Sequence, residues 1–171
     1  MRIGESMLAE YDMEMASTRK VLERVPDDKF SWRIHDKSNT IGWVANHLAD
    51  IPSWVSMAVD TDELDVEPEP GKKYESPNES TTAAILALFD RNVAAGRKCL
   101  ETVEDQKLFE SWRLLQGGQE LMQMPRLVVI RTWVLNHTIH HRAHLCVYLR
   151  VNDIPVPGLY GPSADDSGES P

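Results

Sequence analysis

Hydrophobic residues recur at intervals of three and four in four long segments of the chain, which is the spacing of one face of an α-helix. Helices are therefore predicted over residues 3–25, 41–58, 80–103 and 126–152. The last segment is the clearest of the four, because it contains neither glycine nor proline. Four long helices joined by one or two longer connections predict an all-α fold, a four-helix bundle.

Local signals mark where these helices begin and bend. The side chains of residues 38–40 (Ser-Asn-Thr) and of Ser80 are suited to cap the second and third helices. Pro125 suits the first position of the fourth helix, where a proline costs no hydrogen bond. Pro52 lies inside the second helix and removes one backbone hydrogen bond, so a kink or a division is predicted there.

Two of the connections are long. Residues 60–79 are rich in aspartate, glutamate and proline, which predicts a solvated surface loop. Residues 104–124 contain Gly117-Gly118 between two apolar runs, which fits a short hairpin or an irregular crossover. We expect a single domain over residues 1–162 and a disordered tail over residues 163–171.

The composition is that of a globular protein, with 42% hydrophobic and 26% charged residues. Acidic residues outnumber basic ones 27 to 18, and this balance argues against nucleic acid as a partner. The N-terminus lacks the apolar core of a secretory signal, and no apolar run is long enough to span a membrane. Cys99 and Cys146 lie in apolar helical patterns and are expected to be free thiols, which indicates a reducing compartment. Together these features predict a cytoplasmic protein with no membrane partner.

Histidines are concentrated in the last predicted helix, where four of the six fall between residues 137 and 144. His137 and His141 are four residues apart and His144 is three further on, so these side chains share one face, with His140 beside them. Two imidazoles one turn apart can both reach one metal ion at about 2.0–2.1 Å. The same face is otherwise apolar, which predicts that some of these histidines point into the protein.

A third ligand is expected from His47, which lies on the apolar face of the second helix. A lone histidine in such a position is more often a hydrogen-bonded core residue. An HxxxH pair on a neighbouring helix makes a metal site the better interpretation. Three imidazoles leave one coordination position open, and they suit zinc, nickel or iron better than calcium or magnesium. Asn46, Asp50 and Asn136 are candidates to orient the ligands, whereas His35 is expected to face solvent.

Three segments of the chain resemble the DinB-like superfamily. Its second-helix signature is similar to residues 30–54, FSWRIHDKSNTIGWVANHLADIPSW, and its last-helix motif, close to NHxxHHRGQL, is similar to residues 136–145, NHTIHHRAHL. The ending of many members resembles residues 154–166, IPVPGLYGPSADD. The resemblance implies a four-helix bundle that holds a divalent metal through one histidine of helix two and the HxxxH pair of the last helix. Those positions are here His47, His137 and His141.

The chain departs from the family pattern after the HHR motif. Where the family usually has Gly-Gln, this chain has Ala143-His144, so His144 is a candidate extra ligand, base beside the metal or polar neighbour. Related members include enzymes that use a low-molecular-weight thiol (mycothiol, bacillithiol or glutathione) in transferase or isomerase reactions, and others have no known activity. Similar bundles often pair through helix faces, which favours a homodimer.

Two functional hypotheses follow. In the first, the protein is a metal-dependent enzyme of the thiol-dependent transferase or hydrolase type. It acts on a small molecule, with His144 or His140 as proton acceptor. In the second, it is a non-catalytic binding or stress-response protein in which the metal ties helix two to helix four. A third alternative, surface histidines without a metal, predicts that a chelator changes nothing measurable.

Overall fold

The computed structural model of the chain describes residues 2–166 and is mostly helical, as the hydrophobic spacing predicts. Two short 3₁₀ turns (Asp27–Lys29 and Ile51–Ser53) and one π-helical segment (Ile130–Asn136) accompany the α-helices. The α-helices are α1 (Ile3–Leu22), α2 (Ile41–Asp50), α3 (Trp54–Asp60), α4 (Thr82–Thr102), α5 (Asp105–Phe109), α6 (Arg126–Val129) and α7 (His137–Val151).

The long helices pack around a common core. Helix α1 contacts α4 and α7, and α2 contacts the same two helices from the other side. Side chains such as Tyr11, Leu48, Phe89 and Leu145 are buried between them and supply the hydrophobic stabilisation of the fold. The contact between α2 and α7 is the one that positions the candidate site.

The second predicted helix is divided at Pro52, as expected, into α2, a 3₁₀ turn and α3. The Thr40 side chain caps α2 by accepting a hydrogen bond from the backbone N–H of Trp43. A Cβ atom at Gly96 would lie 2.8 Å from the Pro52 carbonyl oxygen and 2.6 Å from the Tyr11 hydroxyl. A glycine at this position of α4 therefore allows the helix to approach the bend closely.

A three-stranded sheet corrects the prediction of an all-α fold. Its strands are β1 (Glu63–Asp65), β2 (Ser111–Gln116) and β3 (Gln119–Pro125), in the order β1-β2-β3. Strands β2 and β3 form an antiparallel hairpin, which confirms the first of the two alternatives for this connection. Gly117 and Gly118 both have positive φ, as a tight hairpin turn requires. Strand β1 pairs parallel to β2 within the segment predicted as a loop.

Asp65 explains how the acidic connection joins the sheet. Its carboxylate accepts hydrogen bonds from the backbone N–H groups of Gly117 (3.0 Å) and Gly118 (2.8 Å), and from that of Glu67 (2.9 Å). These bonds hold the pKa of Asp65 below its usual value although burial acts in the opposite direction. The sequence predicts a solvated side chain at this position, whereas in the structure Asp65 holds the hairpin turn against β1.

The last predicted helix is continuous in the chain but not uniform, since α6, the π-helical segment and α7 follow one another directly. The helix begins at Arg126, one residue after the position expected from Pro125, which ends β3. The Arg126 guanidinium is buried and donates hydrogen bonds to the carbonyl oxygens of Ser111 (2.8 Å) and Thr61 (3.0 Å). It therefore fixes the start of the last helix to the sheet and to the end of α3.

The C-terminal segment folds back on α7. The carboxylate of Asp165 pairs with Arg150 and accepts a hydrogen bond from the Val156 N–H, and Asp166 accepts from the N–H groups of Gly158 and Ser163. Of the predicted tail, residues 163–166 thus form a turn, and residues 167–171 lie outside the described residues. Within residues 2–166, no helix combines the length and apolar character that crossing a membrane requires.

Candidate metal centre

Three histidines from two helices converge on one point. His47 extends from α2, and His137 and His141 extend from the first turns of α7. The Nε2 atom of His137 lies 3.3 Å from that of His47 and 2.8 Å from that of His141. One ligand nitrogen from each ring lies within 4.8 Å of the others. The structure brings together the three histidines that the sequence selects, whose role as metal ligands stays a prediction.

A π-helical segment directly precedes His137 on the last helix. Its turns are wider than those of an α-helix, and such segments are frequent at functional sites. It ends at Asn136, so the regular α-helical spacing of the HxxxH pair begins at His137 itself. Trp133 belongs to the wider turn and stays partly exposed, with its ring perpendicular to that of His137 at 6.3 Å.

Hydrogen bonding alone does not satisfy the three rings. A neutral imidazole has one N–H donor and one lone pair. The Nε2 atom of His137 faces two other Nε2 atoms, and one proton shared between a pair leaves the third nitrogen without a partner. A cation satisfies all three lone pairs at once. Two nitrogen ligands of a tetrahedral zinc ion are about 3.3 Å apart. The His47 and His137 nitrogens have this separation, and those of His137 and His141, at 2.8 Å, are closer together than zinc ligands would be. The donor set fits a divalent transition-metal ion.

Electrostatics keep the three imidazoles in the form that binds metals. Burial, and after it the proximity of His137, lowers the pKa of His47 to about 4. Burial lowers the pKa of His141 to about 3, with smaller contributions from the four neighbouring histidines. Burial and His140 also lower the pKa of His137, while a hydrogen bond with the Trp133 backbone opposes the shift. Neutral imidazole is the ligand form, so protons compete weakly for this site at neutral pH.

His140 and His144 lie on the exposed side of His141. Their ring centroids are 4.3 Å apart and lie 5.0 Å and 5.7 Å from that of His141. Together with His141 they form a second group whose ligand atoms lie within 4.8 Å of one another. Burial and His140 lower the pKa of His144. Both side chains are therefore placed at the rim of the site, and His35 lies apart from it as an exposed side chain.

The polar neighbours expected to orient the ligands make other contacts. Asn46 donates to the carbonyl oxygens of Gly42 and Glu79, and Asn136 is exposed. Buried Asp50 accepts hydrogen bonds from the Trp54 indole (3.2 Å) and the Tyr74 hydroxyl (3.1 Å). No hydrogen bond joins any of the three to a ligand-candidate histidine within residues 2–166. Asp50 instead accepts a hydrogen bond from Trp54, whose ring meets that of His47.

Aromatic rings enclose His47. Trp43 stacks on its ring, with centroids 4.7 Å apart and planes at 24°, and Trp54 meets it edge-on at 5.4 Å. Both tryptophans flank His47 in the sequence. Trp54 also lines a cavity beside His47 that Trp43 does not border, and Trp43 also meets the ring of His141 edge-on.

A cavity of about 240 Å³ opens beside His47. Its walls come from α3, the sheet and the last helix, and Tyr74 closes it from the long connection. Four of these lining residues were not expected from the sequence: Tyr74, Leu64, Trp112 and Leu114. Trp112 and Leu114 are two residues apart in β2, on either side of exposed Arg113, and this spacing is the signal that identifies the wall. Beyond Trp133, a more open groove of about 310 Å³ borders His137 and His140.

Nearly the whole chain is similar to known proteins. Residues 3–170 match the DinB family. The chain is 26% identical, over 165 residues, to the uncharacterized protein YrdA of Bacillus subtilis strain 168, covering 95% of this chain and 90% of that protein.

Two solved structures share the fold. One is a DinB-like protein from Bacillus cereus ATCC 10987, which matches with a TM-score of 0.68 and 24% identity over 91% of this chain and 97% of that one. The other is the DinB-like protein YjoA of Bacillus subtilis, with a TM-score of 0.68 and 14% identity over 90% and 97%. At these identities the two structures establish the architecture alone.

Proposed function

The chain belongs to the DinB family, and we propose that it binds one divalent transition-metal ion (zinc, nickel or iron) through His47, His137 and His141. The observation that carries this proposal is the convergence of three Nε2 atoms whose lone pairs the protein itself does not satisfy. The depressed pKa values of the three side chains support it, because they keep the ligands deprotonated at neutral pH.

We further propose that the site is that of a metal-dependent enzyme, of the thiol-dependent transferase or hydrolase type, acting on a small molecule. When bound, a divalent ion supplies a Lewis acid that lowers the pKa of a coordinated water or thiol. The stacked ring of Trp43 excludes water from one face of His47 and holds its orientation. His144 and His140 stand at the rim, within reach of solvent, as candidate proton acceptors.

The alternative is a non-catalytic protein in which the ion is structural. One observation favours it, since His47 comes from α2 and the other two ligands from α7, so that the ion would join two packed helices. The cavity beside His47 favours the enzyme instead, because a structural zinc site has four protein ligands and needs no adjoining pocket.

Cobalt(II) spectroscopy separates these proposals. Tag-free protein is stripped of metal, loaded with cobalt(II), and titrated with 2-mercaptoethanol and glutathione while the visible and near-ultraviolet absorption is recorded. An open coordination position predicts that a thiol adds a thiolate charge-transfer band. The same titration of a His35→Ala variant is the matched control. Cobalt bands that no thiol and no change of pH alters would indicate a closed, structural site.

A further inference from the structure

The cavity beside His47 is lined almost entirely by apolar side chains. Three tryptophans, Trp54, Trp112 and Trp133, form much of its wall, and aliphatic side chains of α3, β1 and β2 form most of the rest. None of the described residues that line it is a lysine, arginine, aspartate or glutamate. A charged group placed against these walls would lose its hydration without gaining a partner, at a substantial cost in free energy.

The polar atoms at the walls are already occupied by the protein. The Trp54 indole N–H and the Tyr74 hydroxyl both donate to Asp50, and the Trp112 indole N–H donates to the Thr61 hydroxyl at 3.1 Å. The rings of these residues therefore present apolar faces and edges to the cavity. Among the described lining residues, the polar side-chain groups without such a partner are those of His47, the exposed Ser76 and Trp133, whose indole N–H makes no hydrogen bond within residues 2–166.

The surroundings of the cavity disfavour anions. Leu64 and Val66 line it from within the acidic connection, whose Asp62, Glu63 and Asp65 are their neighbours in sequence. The whole chain carries a formal charge of −9. Asp62 and Glu63 are paired with Arg126 and Arg113, so the net charge of the chain, rather than these side chains, lowers the rate of association of anionic ligands.

From these observations we propose that the cavity binds an uncharged aromatic or branched aliphatic molecule and directs one polar head group of it toward His47. By comparison with the cavity of about 150 Å³ that accommodates benzene, a ligand of about ten non-hydrogen atoms fits. Any reaction at the polar head group rests on the proposed function. The binding of the apolar part of the molecule depends on the walls of the cavity alone. Anionic thiols such as glutathione are excluded from the cavity and, as co-substrates, approach from the open groove beyond Trp133.

The test uses three probes of the same shape that differ in charge: 2-naphthalenemethanol, 2-naphthoate and 2-naphthylmethylammonium. Their affinities for the full chain are measured by calorimetry and by ligand-observed NMR, first on metal-free protein and then on zinc-loaded protein. On metal-free protein the neutral probe is expected to bind at least about tenfold more tightly than either ion. Equal or tighter binding of 2-naphthoate by the metal-free protein would overturn the inference.

Because the first comparison contains no metal, its outcome is independent of the proposed metal site. A protein that binds no zinc yet prefers the neutral probe keeps the cavity inference and loses the proposed function. A protein that binds zinc at the three histidines but shows no preference for the neutral probe keeps the proposed metal site and loses the cavity inference. On zinc-loaded protein, 2-naphthalenethiol is expected to gain affinity over 2-naphthalenemethanol, because its thiolate reaches the ion.

Two variants locate the probe. Leu114→Lys places an ammonium group in the wall and is expected to weaken the neutral probe by about tenfold and to strengthen 2-naphthoate. Ser76→Trp places a bulky ring at an exposed position of the cavity lining, where the change should not disturb folding. Its control is Lys73→Trp, which lies on the same connection but outside the lining. The neutral probe is expected to lose affinity for Ser76→Trp and to keep it for Lys73→Trp. Unchanged affinity for Ser76→Trp would place the probe elsewhere and refute the inference, whether or not Leu114→Lys folds.

Discussion

Two adjacent residues of α7, His141 and Arg142, face opposite sides of the same helix and meet opposite kinds of environment. His141 faces α2, where its Nδ1 atom is buried and makes no hydrogen bond within residues 2–166. Arg142 faces α1, where it is 1% exposed and its terminal nitrogens donate to Glu14, Thr18 and Tyr160. One step along the chain thus separates a side chain with an unpaired buried nitrogen from one whose terminal nitrogens are all paired.

The Arg142 side of the helix is built for stability. The guanidinium donates to a Glu14 carboxylate oxygen at 2.6 Å and to the Glu14 carbonyl oxygen at 2.9 Å. The Tyr160 hydroxyl donates to the same carboxylate at 2.9 Å, which fixes the C-terminal segment over the pair. Buried charges require such complete pairing, because each one would otherwise destabilise the fold strongly.

The histidine side is built in the opposite way. Half-buried rings pack against one another and against tryptophans, and their Nε2 nitrogens face each other rather than donors and acceptors of the rest of the protein. Buried polar groups left without partners cost stability, and nitrogens that converge on one point fit a bound ligand that completes them. An unpaired buried atom alone does not identify the candidate functional face of α7, because the Thr138 hydroxyl is also unpaired. The convergence of imidazole nitrogens does identify it.

The largest effect is expected from Arg142→Met. Removal of one partner leaves the Glu14 charge buried and unpaired, and the free energy of unfolding should fall by about 3–5 kcal/mol. Urea denaturation of the metal-free protein measures it. Arg150→Met breaks an exposed pair with Asp165 and should cost no more than about 1 kcal/mol. Similar losses for the two variants would remove the contrast between the two sides of the helix.

The next effect is stabilisation by the metal. Zinc at about 100 times its dissociation constant should raise the free energy of unfolding by about 2.7 kcal/mol, and a chelator should reverse the change. The increase is expected for the native chain and for His35→Ala, whose side chain lies outside the cluster. It should vanish in His137→Ala. A His137→Ala protein that zinc stabilises as strongly as the native chain would show that the ion binds elsewhere.

A smaller effect concerns the pH dependence of the metal-free protein. The folded-state pKa values of His47 (about 4) and His141 (about 3) lie below the ordinary value of 6.5. At a pH between these values and 6.5, the unfolded chain therefore binds more protons than the folded chain. The stability that the neutral rings contribute is fully present above about pH 6.5 and is lost as the pH falls toward 4 and then 3. His141→Gln should flatten this part of the profile, as measured by urea denaturation at stepped pH. Identical slopes for variant and native chain would contradict the assigned burial of the ring.

The smallest effect is expected from Tyr74→Phe. The change removes one hydrogen bond to Asp50 and leaves the Trp54 bond in place, so the loss should be about 0.5–1.5 kcal/mol. The pKa of Tyr74, raised to about 12 mainly by burial, also predicts that a spectrophotometric titration of the variant loses one late-ionising phenol. A stability unchanged by the substitution would mean that the hydrogen bond between Tyr74 and Asp50 does not help to hold the long connection.

Much of the helical architecture follows from the sequence because it depends on local spacing. The hydrophobic period, the Thr40 cap and the break at Pro52 each act within a few residues, and each is found in the structure. The proximity of His137 and His141 follows from the same local geometry. The position of His47 next to these two histidines could be predicted only by assuming that the second and last helices pack side by side.

The features that the sequence analysis missed depend on long-range pairing. Strand β1 has three residues in an acidic segment, and its pairing with β2 joins positions about fifty residues apart, such as Glu63 and Arg113. The burial of Glu14 is hidden in the same way, because charged residues of a helix usually face solvent. The π-helical segment has no distinct residue signature, so Trp133 could not be placed at the cavity.

The central claim, a metal ion held by histidines of α2 and α7, is tested most directly by elemental analysis of tag-free protein. Native chain and the variants His47→Ala, His141→Ala and His35→Ala are purified in parallel from cells supplied with zinc, nickel and iron. The account predicts one ion per chain in the native protein and in His35→Ala, and almost none in the other two. A native protein without metal, or full occupancy in His47→Ala and His141→Ala, would contradict it.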